Sequence, residues 1–223
     1  IKPLWSPLIE LLGTKRLWIV ALQFAVGAAL ACVALTIPGP AYFQMTLAVF
    51  WLMAFASASH DIAADGFYML ALPEHSQAAF VGVRSTFYRL ANIGAQGGLV
   101  YLAGEVQERT GSMQTAWSVV FGVLTVLFVL TAVYHWLVLP RPSVDVRSAQ
   151  HAGAGELARG FIKVFAEFFK RPGILWVLGF LLLYRFPEAQ LLKLATPFLL
   201  DKAEMGGLGL STKALGIAYG TVG

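Results

Sequence analysis

Three side chains able to exchange or neutralise protons sit close together in an apolar run: His60, Asp61 and Asp65, within Ala-Ser-Ala-Ser-His-Asp-Ile-Ala-Ala-Asp-Gly-Phe-Tyr-Met-Leu-Ala-Leu from Ala56 to Leu72. An ionised carboxylate at mid-membrane costs at least roughly 2.5 to 3.5 kcal/mol on insertion scales, so it is either paired or kept for moving an ion or substrate. Asp61 and Asp65 are i and i+4, with Tyr68 three further on, so in a helix the three share a face about 10 Å long. His60 points about 100° away from Asp61, which suits an interhelical hydrogen bond better than a proton relay.

Candidate partners lie in the next apolar stretch. Ser85, Arg89, Asn92 and Gln96 recur at steps of four, three and four, a polar stripe that must face protein or water rather than lipid. If successive spans run in opposite directions, Arg84 and Arg89 reach the depth of the two aspartates and can pair with them. The Asp/Arg cluster then either takes part in transport or only locks two helices together. Further along, Arg185 and Glu188 flank Pro187, which frees a backbone carbonyl and breaks the helix. Interrupted, charged helices build the substrate and ion sites of secondary transporters, and an internal salt bridge at a proline kink is the competing reading. Gln23 is the only strongly polar side chain of its own apolar stretch.

The remaining histidines offer less. His75 falls in a polar connector, and His135 and His151 have no spacing that suggests a metal site. There is no Walker lysine motif, no His-Glu-x-x-His and no Gly-x-Ser-x-Gly, so neither ATP hydrolysis nor hydrolase chemistry is expected. We expect no catalytic residues, no metal and no cofactor.

Composition says what must position these residues. The chain has 223 residues, 58% hydrophobic and 13% charged, where a soluble domain has about a quarter charged. With a mean hydropathy of +0.70 this is an integral membrane protein. The net charge of +4 does not argue for nucleic acid, because lysines and arginines form short clusters between apolar runs, as positive-inside topology requires. The single cysteine, Cys32, excludes an intramolecular disulfide framework. The sequence around Ile1 has no signal-peptide pattern, and the apolar run Ala214 to Gly223 is too short to cross about 30 Å of hydrocarbon, so we expect an internal portion of a longer protein.

Taken in order, Ile1 to Leu12 reads as the end of a span closed by Gly13. Full spans follow at roughly Leu17–Ile37, ended by Pro38-Gly39-Pro40; Tyr42–Leu72; Ala79–Ala103; Thr115–Leu139, closed by Pro140-Arg141-Pro142; and Gly173–Leu200. Polar loops are expected from Gly104 to Gln114 and from Asp201 to Thr212. Ser143 to Gly155 reads as a linker. In Glu156 to Arg171, Leu157, Phe161, Val164, Phe165 and Phe168 follow helical spacing while Glu156, Arg159, Lys163, Glu167 and Lys170 take other faces, the pattern of a helix lying in the membrane interface. Lys15 and Arg16 fall on the same side as Arg141, Arg147, Arg159, Lys163, Lys170 and Arg171 when the spans alternate, which predicts a cytoplasmic linker.

The motifs now carry a resemblance. Pro7-Leu8-Ile9-Glu10-Leu11-Leu12-Gly13-Thr14-Lys15-Arg16-Leu17-Trp18 resembles the loop between helices 2 and 3 of the major facilitator superfamily, with Glu10, Gly13, Lys15 and Arg16 at its motif positions and Leu11 and Thr14 where arginines are usual. Ser57-Ala58-Ser59-His60-Asp61-Ile62-Ala63-Ala64-Asp65 is similar to the helix 4 signature of its muropeptide permease (AmpG-like) family, which is related to acetyl-CoA transporters; a glutamine is common there at the position of His60. Tyr88-Arg89-Leu90 with Gly97-Gly98 resembles helix 5 and Phe168-Phe169-Lys170-Arg171 the end of the central loop. Leu183-Tyr184-Arg185-Phe186-Pro187-Glu188-Ala189 resembles helix 7, with Pro187-Glu188 in place of the usual Gly-Asp, and Thr212-Lys213-Ala214-Leu215-Gly216 the start of helix 8.

The resemblance implies an all-α, polytopic helix bundle of that superfamily. Residues 1–142 would be part of an N-terminal bundle, 143–172 a cytoplasmic linker with an amphipathic helix, and 173–223 the start of a C-terminal bundle. It implies a multi-pass transporter of the bacterial inner membrane, not an enzyme, importing anhydromuropeptides for cell-wall recycling by proton symport. Its partners would be a small-molecule substrate, protons and the lipid bilayer, with no nucleic acid. Asp61 and Asp65 would couple protons or gate, with Arg89 as their partner, and Gln23, Asn92, Gln96, Arg185 and Glu188 would line a cavity for sugar or carboxylate. The alternatives are the same fold with a sugar, siderophore or CoA ester as cargo, and a non-transporting sensor or scaffold.

Overall fold

The computed structural model of the protein describes residue 9, residues 13–145 and residues 154–221, and every regular element among them is helical. Helix α1 (Lys15–Thr36) is started by Thr14, whose hydroxyl accepts from the Leu17 amide at 3.2 Å, and stops one residue short of Pro38. Helix α2 (Tyr42–Ala71) ends at the extended Leu72 before Pro73. Its last carbonyls are satisfied from the next helix: Gln77 Nε2 donates to Leu72 O at 2.8 Å and to Met69 O at 3.2 Å.

Helix α3 (Glu74–Asn92), a π-helical stretch (Ile93–Leu99) and helix α4 (Val100–Thr110) follow one another without a break. The π-helical stretch contains Gly94, Gly97 and Gly98, whose missing side chains weaken the local ladder. At 1.5 Å per residue the rod is about 55 Å long, well beyond a hydrocarbon core of about 30 Å, so its ends project from the membrane. This corrects the expected loop at Gly104: the helix continues to Thr110 and ends at Gly111, whose φ of 68° places it in the left-handed region. Residues 105–109 are helix formers, and Glu105 pairs with Arg109 one turn on at 2.8 Å.

Helix α5 (Met113–Val138) is capped by Ser112, helix α6 spans Ala154–Phe169, helix α7 spans Ile174–Leu200 and helix α8 spans Thr212–Thr221, with a short 3-10 turn at Ala203–Met205 between the last two. Among the described residues four helices, α1, α2, α5 and α7, are long and apolar enough to cross a membrane. Their outward surfaces carry Leu35, Trp51, Leu137 and Trp176, all more than half exposed, as lipid-facing side chains must be. Helix α7 runs through both Pro187 and Pro197, so the expected break at Pro187 does not occur. Each proline removes one donor, and the remaining backbone bonds carry the helix across.

The packing centres on α1. Ile19, Val20, Val26, Leu30 and Val33 are buried between α2 and α5, and Gly27 admits α5 so closely that a Cβ there would lie 3.3 Å from Val129 Cγ2. At one end Ile9, Ile19, Ala63 and Phe67 form a buried cluster with Trp18 and Leu139 packed against it. A second contact joins α4 and the π-helical stretch to α8, where Ala103, Gly104, Leu215 and Gly216 are buried. Glu10, Arg147 and His151 lie outside the described residues, as do the side chains of Glu156, Leu157, Phe161, Val164 and Phe165 on α6.

Candidate functional site

A cavity of about 740 Å³ opens between α1, α2 and α5. Its walls are mostly apolar, including Val26, Leu30, Phe50 and Phe128, and its polar groups are Gln23, Ser57, His60, Asp61, Thr131 and His135. Helical spacing gathers the α2 contribution, since Phe50, Met53, Ala54, Ser57, His60 and Asp61 recur on one face. Across the cavity His135 Nδ1 lies 2.8 Å from Gln23 Oε1. An amide oxygen accepts, so Nδ1 carries the proton and Nε2 is left as an acceptor. Gln23 is 7% exposed, and in so apolar a place this bond fixes both side chains. His60 Nε2 is buried with no hydrogen-bond partner among the described residues. Two imidazoles and one carboxylate therefore share a small volume with low-polarity walls, an arrangement able to hold and pass a proton.

Asp65 takes no part in that cavity. One turn beyond Asp61, its carboxylate pairs with Arg84 of α3, whose guanidinium also lies over the Tyr68 ring at 5.8 Å from the centroid. The expected partner Arg89 instead lines a separate hollow of about 490 Å³ with Tyr68, Arg84, Ser85 and Tyr88. Arg89 lies five residues along the helix from Arg84, and only Arg84 comes level with Asp65 after the tight turn at Pro73. Gln96 borders a third hollow, of about 390 Å³, with Leu192 and Thr196 of α7, while Asn92 sits half-buried where α3 gives way to the π-helical stretch. Arg185 and Glu188 pair with each other along one face of α7, and both side chains are more than half exposed.

The residues of the loop motif act as fasteners. Asp145 accepts from the backbone amides of Lys15 at 2.8 Å and Arg16 at 3.0 Å, neutralising the donor-rich start of α1. Arg16 Nε donates to Leu139 O at 3.1 Å and its Nη2 to Trp136 O, closing the carbonyl end of α5. The Lys15 stem lies across Gly66, next in sequence to Asp65, where any side chain would collide with it. Gly13 makes the bend that precedes Thr14.

Two groups of residues escaped the sequence reading. His135 is the only His, Asp, Glu, Lys or Arg in Met113–Val138, just as Gln23 is the lone strongly polar residue of its span, and that matched isolation was the available signal. The second group is Lys213 of α8, which reaches Glu105 at 2.6 Å and Glu108 at 3.1 Å on α4. The spacing of Glu105 and Glu108 on one helical face becomes informative only once that stretch is known to be helix.

The whole chain, residues 1–223, matches the Major Facilitator Superfamily. It belongs to that superfamily. Within the Major Facilitator Superfamily it is 26% identical over 230 aligned positions to the anhydromuropeptide permease of Escherichia coli strain K12, covering 100% of this chain and 44% of that protein. It is 27% identical over 209 positions to an uncharacterized protein of Haemophilus influenzae, covering 90% of this chain and 46% of the relative. It is 23% identical over 240 positions to the putative transporter AmpG 4 of Rickettsia conorii, covering 100% of this chain and 54% of the relative. The chain thus spans about half the length of these relatives. No solved structure matches it. Among the described residues of this member of the Major Facilitator Superfamily, four helices are long and apolar enough to cross a membrane.

Proposed function

We propose that this chain is part of a proton-coupled importer of anhydromuropeptides in a bacterial inner membrane, working by rocking two helix bundles about a central site. The observation that carries the reading is the cavity of α1, α2 and α5, in which Asp61, His60 and the Gln23–His135 pair sit inside an otherwise apolar bundle. Ionisable groups in such a place are paired or kept for moving an ion or substrate. The cargo rests on similarity to the anhydromuropeptide permease.

In this reading residues 1–142 belong to the N-terminal bundle, 143–172 to a cytoplasmic linker and 173–223 to the C-terminal bundle. Asp61 exchanges the coupled proton, and Asp65 with Arg84 holds α2 to α3 as the bundle tilts. The end bearing Lys15, Arg16 and Arg141 faces the cytoplasm, and the end bearing Gly39, Gly111 and Lys213 faces the periplasm.

Uptake of radiolabelled anhydromuropeptide into right-side-out vesicles carrying the whole protein tests the reading. Accumulation should follow an inward proton gradient and collapse with a protonophore. Competition by a sugar, siderophore or CoA ester, but not by anhydromuropeptide, would replace the cargo. Ligand binding without flux under any gradient would replace transport by sensing.

A further inference from the structure

Helix α4 and helix α8 meet more closely than any side chain between them would allow. A Cβ on Gly104 would lie 2.5 Å from the Lys213 amide nitrogen and 2.6 Å from its Cα, and a Cβ on Gly216 would lie 2.7 Å from Tyr101 Cα and 2.9 Å from Gly97 O. The two backbones touch over a glycine at each side of the crossing, as small residues allow in membrane helices. Directly above it, Lys213 Nζ lies between Glu105 at 2.6 Å and Glu108 at 3.1 Å, 5.4 Å from the centroid of the Tyr101 ring. Thr212 Oγ1 adds a hydrogen bond to Gln107 Oε1 at 3.2 Å, and Arg109 holds Glu105 from the other side at 2.8 Å. Beyond the crossing, Gly111 and Met113 face Leu210 and Ser211.

These contacts tie the segment before the linker to the segment after it, and the described residues contain no other ion pair between those two segments. We infer that Lys213, clamped by Glu105 and Glu108 over the Gly104–Gly216 crossing, is a latch that shuts this end of the molecule and must release for the transport cycle to proceed. The glycine contact is short-ranged and apolar, so it permits tilting about the crossing, whereas the three charged groups set how readily the tilt begins. Lys213 is 29% exposed at its side chain and Glu105 26%, so water reaches the clamp and can solvate the charges when it parts. A fully buried ion pair would make opening far more costly.

The inference rests on the transporter reading, and its test separates the two. In the whole protein with Cys32→Ser, thiols are placed at the clamp by Gln107→Cys and Thr212→Cys, singly and together. Lys213→Met in the single Gln107→Cys background should raise the labelling rate by a membrane-impermeant maleimide about two- to fivefold, the range open to a partly exposed ion pair. The exchange Lys213→Glu with Glu105→Lys should bring the rate back towards that of the parent. Bridging the double-cysteine protein with a short reducible bis-thiol reagent should stop uptake, and reduction should restore it. Unchanged labelling in Lys213→Met, together with full uptake by the bridged protein, overturns the latch. Absence of uptake in the unbridged parent would count against the transporter reading alone, because the labelling arm measures opening without any cargo.

Discussion

Asp65 and Arg84 form an ion pair that joins α2 to α3, and it turns Asp65 away from the cavity that Asp61 enters. Two carboxylates a single helical turn apart therefore have different neighbours and, in our reading, different duties. Asp65→Asn should leave uptake and counterflow measurable and cost at most about 1 kcal/mol, because both partners of the pair are substantially exposed. Asp61→Asn should abolish gradient-driven accumulation while sparing counterflow. Both are read in vesicles beside a thermal melt, and normal accumulation by Asp61→Asn removes that residue from the coupling step.

The Gln23–His135 bond predicts a stability effect with little dependence on cargo. Gln23→Leu leaves the His135 donor without its acceptor in an apolar wall, a loss of about 1 to 3 kcal/mol. Adding His135→Phe removes the stranded donor as well, so the double variant should recover part of that loss. Thermal unfolding in one detergent gives the comparison directly.

Glycines in the same bundle should respond in opposite ways. Gly104→Ala drives a methyl group into the Lys213 backbone and should destabilise by about 1 to 3 kcal/mol, or force α4 and α8 apart. Gly122→Ala on α5 meets nothing within 4 Å and should be neutral or stabilise by up to about 1 kcal/mol. A melt of each variant, with maleimide labelling at position 107 for Gly104→Ala, distinguishes the two.

Acid should open the clamp and mild alkali should not. Hydrogen bonds from Lys213 and Arg109 hold the Glu105 carboxyl below the usual carboxylate range. A lowered pKa contributes stability that is complete above the unfolded value of about 4.3 and disappears as pH falls through the lowered one. The facing groups are Lys213, Arg109 and Glu108, and hydrogen bonds to the two glutamates hold the Lys213 ammonium above its usual range, far from that window. Labelling at position 107, divided at each pH by the rate for a free thiol to remove its thiolate dependence, should thus be flat across neutral pH and rise only once the pH falls below the usual carboxylate range, and the rise should shrink in Glu105→Gln.

The long apolar runs at residues 17–37, 42–72 and 115–139 already dictated helices, because each is long enough to span and only a helix satisfies its own backbone in lipid. Pro38, Pro73 and Pro140 set where those helices stop, since the missing amide and the restricted preceding residue are local effects. The i, i+4 spacing of Asp61 and Asp65 was equally visible.

Which neighbour each residue meets was not local. Arg84 rather than Arg89 faces Asp65 because the turn at Pro73 sets the register of α3 against α2, and periodicity alone leaves that register free. Gln23 and His135 are 112 residues apart and meet only because α1 packs against α5. Residues 104–110 looked like a loop by polarity, yet helix formers and an internal Glu105–Arg109 pair carry the rod out of the membrane, where polar side chains cost nothing. The approach of Lys213 to that projecting end depends on Gly104 admitting the Lys213 backbone and Gly216 admitting that of Tyr101, a contact between surfaces that no single stretch of sequence encodes.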